Sequence, residues 1–452
     1  MALAAACASP PPPEPSPPVI ARPAPRPDSL PRREAPPPAR AADTVSARDP
    51  EPAPPPPREE AAPDIPVRIS GVAPEVRVGL AVGADGIAVG GSEELQVEGA
   101  DGNFLGVVPA GEQWRAVPGG AGVVIRAPRG GRLTDRRLTV RPRRSGEHVR
   151  AGTREYRGTL LLVPDRSGLT AINLVGLEEY LVGVVSAEMG SRPPADREAL
   201  RAQAVVSRTY ALRNRNRWRA QGFDYHATVA DQVYGGVTAE NELAREAVDA
   251  TRGVVVTFAG APIDAFFFST CGGRTELGTE VFRGAARSYL RPVPDVDPAG
   301  TAYCSLSPRY RWTESWTGNE LRRSLARGLA EIGAAPPAGV SRIRDVRIAD
   351  RTASGRVGRL VVSLPGHDIA VESARVRQAL RAPNGELLRS TLFTLRVSAG
   401  GAEVAGLTVE GSGAGHGVGF CQWGAIGRAR AGQDYREIVS AYFPGTRLER
   451  FY

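Results

Sequence analysis

The rhythm of apolar and polar positions changes along the chain. Residues 1–66 show no periodicity at all. They hold 22 of the 40 prolines, with Ala, Arg and Glu filling most of the remainder. Such a stretch buries too little apolar surface to offset its ordering cost, so a disordered, Pro-rich spacer is expected. From Val67 onward, short apolar or alternating runs appear between glycines, as in 76–82 (VRVGLAV) and 122–125 (GVVI). These predict short strands joined by tight turns. Residues 67–150 read as a small β-rich domain without a chemical motif.

After two more predicted strands, 156–163 and 169–175, the period switches. Leu177, Tyr180, Leu181, Val184 and Val185 recur at spacings of three and four, which gives a helix one apolar face. Gly190 and Pro193-Pro194 should stop it near Met189. Pro194 and Asp196 then open a second helix, predicted to run to about Trp218. Gln203, Ser207 and Tyr210 share one of its faces. That polar stripe is either a solvated face or one wall of a groove. A third helix over 240–250 and strands over 254–258 and 263–268 follow. A glycine-containing turn spans 269–275 (STCGGRT), and mixed helix and strand fill 314–398. Five glycines fall within 411–419, marking tight bends or close backbone approach. A last helix covers 435–442. The fold class is α+β.

Composition narrows the chemistry. The 452-residue chain carries a net charge of +8, and it contains no Lys, so every basic side chain is Arg. Lysine nucleophiles, Schiff bases and phosphate-loop lysines are thereby excluded. A basic chain favours anionic partners such as wall polymers or anionic membranes. The arginines form no long block of the kind that marks nucleic acid, and no nucleic-acid partner is expected. No apolar run reaches the length of a membrane-spanning helix. The four cysteines, Cys7, Cys271, Cys304 and Cys421, include no CxxC pair. Small apolar residues running into Cys7 resemble the end of a bacterial lipoprotein signal, although no basic segment precedes them. A lipidated Cys7 with a Pro-rich spacer would attach the protein to a membrane; chance in an Ala-rich stretch is the alternative.

Four ordered segments carry a family resemblance: 177–189 (LEEYLVGVVSAEM), 198–211 (EALRAQAVVSRTYA), 231–235 (DQVYG) and 415–425 (GHGVGFCQWGA). Together they resemble the SpoIID/LytB domain family, which includes stage II sporulation protein D and amidase enhancers. The resemblance covers roughly 155–452. It implies an extracytoplasmic, cell-envelope protein directed at peptidoglycan glycan strands. The sporulation members act as lytic transglycosylases on strands stripped of stem peptides. The family pattern places the catalytic carboxylate at Glu188. By position alone an exposed helix-end glutamate is the simpler reading of this residue; the resemblance reverses that preference.

A single carboxylate suffices for this reaction. It protonates the glycosidic oxygen and then accepts the proton of the muramic acid 6-hydroxyl as that hydroxyl attacks its own anomeric carbon. Two carboxylates are needed only for ordinary glycoside hydrolysis. A helix C-terminus and apolar neighbours should both favour protonated Glu188. The expected substrate-binding residues are Gln203, Arg208, Tyr210, His416, Gln422 and Trp423. The indole of Trp423 suits sugar stacking. Structural pairing is the alternative for Arg208, and capping of a backbone carbonyl is the alternative for His416. Glu178 and Glu179 read as surface charges, with a supporting contact behind the site as the alternative for one of them. Some sporulation-type members bind zinc through Cys and His near the cleft. Here Phe268-Ser269 stands where many relatives have His-Ser. His226, Cys271, Cys304, His416 and Cys421 are left as zinc candidates, but their spacing matches no known zinc pattern, so no metal or other cofactor is expected and, for an extracytoplasmic protein, a Cys271–Cys304 disulfide is preferred. The competing functions are a non-catalytic wall-binding module that enhances a cell-wall amidase and a glycan hydrolase with a second carboxylate.

Overall fold

The computed structural model describes residues 71–452 except Ala121, Arg283, Pro337 and Ala338. The Pro-rich spacer and Cys7 lie outside the described residues. The mixed helix and strand content makes the fold α+β.

Strand β1 (Glu75–Ala84) pairs antiparallel with β6 (Gly168–Gly176), aligning Val76 with Val175 and Val78 with Asn173. β6 pairs in turn with β5 (Thr159–Asp165), and the sheet continues through β4 (Leu138–Pro142), β2 (Leu95–Glu98) and β3 (Phe104–Val108). A six-stranded sheet built within 87–156 packs against it. Ala116, Val123 and Ile125 from that second sheet join Val140, Leu160 and Leu162 in one buried cluster. The boundary expected near residue 150 is corrected here, because β1 to β4 share a sheet with β5 and β6. The strand partners are about ninety residues apart in sequence, so the pairing leaves no local signal.

Helix α1 (Leu177–Met189) leaves β6 directly. It ends where Gly190 turns with a φ of 69°, a conformation that favours a residue without Cβ. Helix α2 (Arg197–Arg213) follows a single 3₁₀ turn, Pro194–Asp196. It stops short of Trp218 because the chain reverses at Asn216, which has a φ of 68° and whose backbone N–H donates to Asp224. Helix α3 (Glu242–Ala250) begins two residues later than expected and is capped by the Asn241 side chain. The strand expected over 263–268 is confined to Phe267–Phe268, which pairs in parallel with Phe420–Cys421. That short pairing joins the 269–275 turn to the glycine-rich loop.

Residues 311–412 carry a core of their own. Leu321, Leu325 and Leu329 on the helix Gly318–Glu331 pack with Val346, Leu360 and Val362 of a three-stranded sheet and with Trp316 and Leu407 of another. This insertion begins and ends close to the cysteine-containing turns. All described residues belong to one compact unit.

Candidate functional site

A cleft of about 960 Å³ opens between α1, α2, the 415–426 loop and the tip of the insertion. Glu188, in the last turn of α1, lies on its wall, partly buried. One carboxylate oxygen accepts the backbone N–H of Val233 at 2.8 Å, and the other accepts the Gln422 side-chain amide at 3.3 Å. Burial pushes its pKa above the usual carboxylate value, against the lowering effect of those two donors. Burial thus makes protonation of Glu188 easier than that of an ordinary carboxylate, at a site open to a ligand.

Asp231 is the other carboxylate lining the cleft. Its side chain is fully shielded, and every acceptor position is taken. One oxygen receives Tyr210 and Arg217, each at 3.0 Å. The other receives the Trp218 indole N–H at 2.7 Å and the His226 backbone N–H at 2.8 Å. Asp231 therefore holds the rim of the cleft together and has no lone pair directed at a ligand.

The expected binding residues divide. Tyr210, His416, Gln422 and Trp423 all line the cleft. Gln203 and Arg208 do not, and both are completely buried. Gln203 donates to Ser207 at 2.9 Å within α2, so these two residues of the polar stripe face the interior and only Tyr210 reaches the cleft. Arg208 grips Glu178 through two bonds of 2.8 and 2.7 Å and donates to the carbonyls of Val254 and Val248. The expectation that both residues bind glycan is thus corrected, as is the surface position given to Glu178. The Glu178 carboxylate is pushed up by burial but held below its usual value overall by the Arg208 guanidinium. These two residues lie thirty positions apart, and neither shows from its own neighbourhood that it will find the other.

His416 lines the cleft without a free ring nitrogen. Its Nδ1 accepts the Val418 N–H at 3.1 Å, which assigns the proton to Nε2, and Nε2 donates to the Phe267 carbonyl at 2.9 Å. Phe266, Phe268 and Phe282 pack around the ring. Burial lowers its pKa to about 4, so the imidazole is neutral at physiological pH. These contacts tie the glycine-rich loop to the Phe266–Phe268 segment. Phe268, in the place where histidine was the comparison, makes one of them. One face of Trp423 carries the Arg192 guanidinium, 4.7 Å from the ring centroid.

Arg192, Arg309 and Arg377 also line the cleft, and no sequence motif marks them. Among the described residues none of them makes an ion pair. Arg377 comes from the insertion, and its Nε donates to the Leu388 carbonyl at 2.5 Å. Burial holds its pKa below the ordinary guanidinium value. No local pattern marks Arg377, because only the folded insertion brings it over the cleft.

Behind the glycine-rich loop, Cys271 and Cys304 are free thiols with sulfurs 3.5 Å apart. A disulfide bond is about 2.05 Å long. The expected Cys271–Cys304 bond is therefore not formed in this structure, and Cys421 joins the pair as a third thiol. Among the described residues, no helix is long and apolar enough to cross a membrane.

Comparison with known proteins matches residues 165–258 to the family described as Stage II sporulation protein (SpoIID), and residues 301–419 to a domain of unknown function. The chain is 32% identical over 295 residues to an uncharacterized protein of Brachyspira hyodysenteriae, covering 64% of this chain and 71% of that one. It is 28% identical over 306 residues to Stage II sporulation protein D of Bacillus subtilis, covering 63% and 77% respectively. It is 29% identical over 304 residues to the Amidase enhancer of the same organism, spanning 60% of this chain and 40% of that protein.

Proposed function

We propose, since this chain belongs to the SpoIID family of stage II sporulation proteins, that its cleft cleaves peptidoglycan glycan strands as a lytic transglycosylase in the cell envelope. The observation that carries this reading is the pairing of one available carboxylate with one committed carboxylate. Glu188 is raised in pKa and faces the cleft, whereas Asp231 is saturated with donors. A hydrolase with a second carboxylate as nucleophile or base would need a free one beside Glu188. A transglycosylase needs only the first.

In the proposed reaction, protonated Glu188 gives its proton to the glycosidic oxygen as the bond to the muramic anomeric carbon breaks. The departing sugar leaves with a free 4-hydroxyl. The muramic 6-hydroxyl oxygen bonds to the anomeric carbon, and its proton returns to the Glu188 carboxylate. The products are a 1,6-anhydro end and a regenerated acid, with no water consumed. Val233 N–H and the Gln422 amide hold the carboxylate in place through both halves. Arg377, Arg309 and Arg192 offer positive charge to the lactyl carboxylates of a peptide-stripped strand.

The second reading is a wall-binding module that enhances an amidase without cutting glycan. Similarity to a relative named Amidase enhancer favours it. Digestion of purified, peptide-stripped strands and mass analysis of the products separates the two. Anhydro ends support the proposal, reducing ends would indicate a hydrolase, and uncut strands a binder. Glu188→Gln should lower the rate by at least about 100-fold, the usual worth of a general acid, with thermal unfolding still cooperative.

A further inference from the structure

Cys271, Asp295, Cys304 and Cys421 come from four separate segments, yet their ligand atoms all lie within 4.8 Å of one another. All four residues are completely buried. The Cys271 sulfur is 3.5 Å from that of Cys304 and 3.1 Å from one Asp295 oxygen. Tetrahedral Zn²⁺, with bonds of about 2.3 Å to sulfur and 2.0 Å to oxygen, spaces its ligand atoms roughly 3.3–3.8 Å apart. We propose that these four side chains form a closed, structural Zn²⁺ site. No histidine takes part.

Three features beyond proximity support this. The first is the orientation of Asp295. Its other oxygen is held by Arg428 at 2.9 Å and by the Tyr442 hydroxyl at 2.8 Å, which leaves the oxygen beside the sulfurs for a cation. Such supporting contacts commonly orient a metal-bound carboxylate. The second is the set of donors on the sulfurs. Cys421 accepts the N–H groups of Cys271 and Gly424 at 3.1 and 3.2 Å, and Cys271 accepts that of Gly273 at 3.3 Å. Backbone N–H groups directed at sulfur suit thiolates, which are the form that binds metal. The third is charge. Zn²⁺ with three thiolates and one carboxylate carries two negative charges. Arg428 contacts Asp295, and the fully buried Arg356 donates to the Cys271 carbonyl, with no carboxylate within ion-pair distance of it among the described residues.

Alternative uses of the thiols fit less well. One disulfide would use two of the three sulfurs and strand the third in the same buried cluster as Asp295. Sulfur-rich tetrahedral sets select zinc over the hard cations. Gly424 also shows how closely the chain is drawn in: a Cβ there would lie 2.1 Å from the Asp295 oxygen and 2.1 Å from the Tyr442 hydroxyl. The site has a consequence for the cleft. Cys421 directly precedes Gln422, which donates to Glu188. Zinc would tie the 269–275 turn, the 295 and 304 segments and the glycine-rich loop into one clamp that fixes Gln422.

The test uses the untagged protein, purified without chelator and kept reduced. Elemental analysis should find one zinc per chain, and a mercurial that blocks the thiols should release it. Replacement by Co²⁺ should give the intense visible bands of tetrahedral cobalt and a thiolate charge-transfer band in the near ultraviolet. Tyr442→Phe keeps the ring but frees Asp295, and zinc affinity should fall about 10–100-fold. Cys7→Ser should leave zinc content unchanged. Metal-free protein with three reactive buried thiols would overturn the proposal. So would a mass lower by two hydrogens before reduction, stoichiometric iron instead of zinc, or an octahedral cobalt spectrum. None of these readouts depends on glycan cleavage, so the site and the proposed reaction stand or fall separately.

Discussion

Glu188 shows how one residue can be well placed for chemistry and poorly placed for stability. Burial raises its pKa, so the folded protein binds a proton more tightly there than the unfolded chain does. The sign follows from linkage: stability falls as pH rises from the ordinary carboxylate range through the raised folded value. At neutral pH an ionised Glu188 costs folding free energy. Glu188→Gln should therefore raise the melting temperature at pH 7, and the gain should shrink as pH falls below the ordinary glutamate range. Paired melting curves at neutral and acidic pH check this. An equal shift at both pH values would place the effect in packing instead. The helix-end position of Glu188 was legible in the sequence, because Gly190 and Pro193-Pro194 stop α1 where expected. The saturation of Asp231 was not, since its donors come from positions 210, 217, 218 and 226 and meet only in the fold. The same holds for the Glu178–Arg208 pair, a burial that neither residue announces.

Among the elements, the helices were the most legible and the insertion the least. Repeats of three and four residues define α1, and the helix Tyr435–Tyr442 has the bounds its pattern predicts. The insertion shows mixed periodicity, and nothing in its sequence tells which edge will face Glu188. Folding places Arg377, in the short helix Ser373–Ala379, against the cleft. A guanidinium without an ion pair, partly shielded from water, suits an anionic ligand better than a neutral one. Arg377→Gln should therefore weaken binding of muramic acid-containing strands while changing little for oligomers of N-acetylglucosamine, which lack the lactyl carboxylate. Equilibrium binding to the two glycans in the Glu188→Gln background measures this without turnover. Equal loss on both would assign Arg377 to loop packing through its bond to the Leu388 carbonyl.

At the level of the whole molecule, family resemblance begins near residue 155, but the fold does not. β1 gives β6 its antiparallel partner from Val76–Val175 onward, and β4 flanks β5 on the other side. A fragment starting at 155 would leave both edges of a two-stranded β5–β6 ribbon unpaired. It would also expose Leu160, Leu162, Leu169 and Val175, all buried in the full sheet. Two strands without flanking partners are marginal in water, and long apolar edges invite aggregation. α1 grows directly from β6, so the position of Glu188 depends on that sheet. Residues 155–452 alone should thus be insoluble or unfold without cooperativity, whereas 71–452 should unfold as one unit and keep the cleft that Glu188 lines. Circular dichroism melts and limited proteolysis of the two fragments decide it. A cooperative, protease-resistant 155–452 would mean that α1 and the cleft are held by the helices and the insertion, with 71–150 as an accessory layer. The expected result makes the β-rich N-terminal region the foundation on which the carboxylate is mounted.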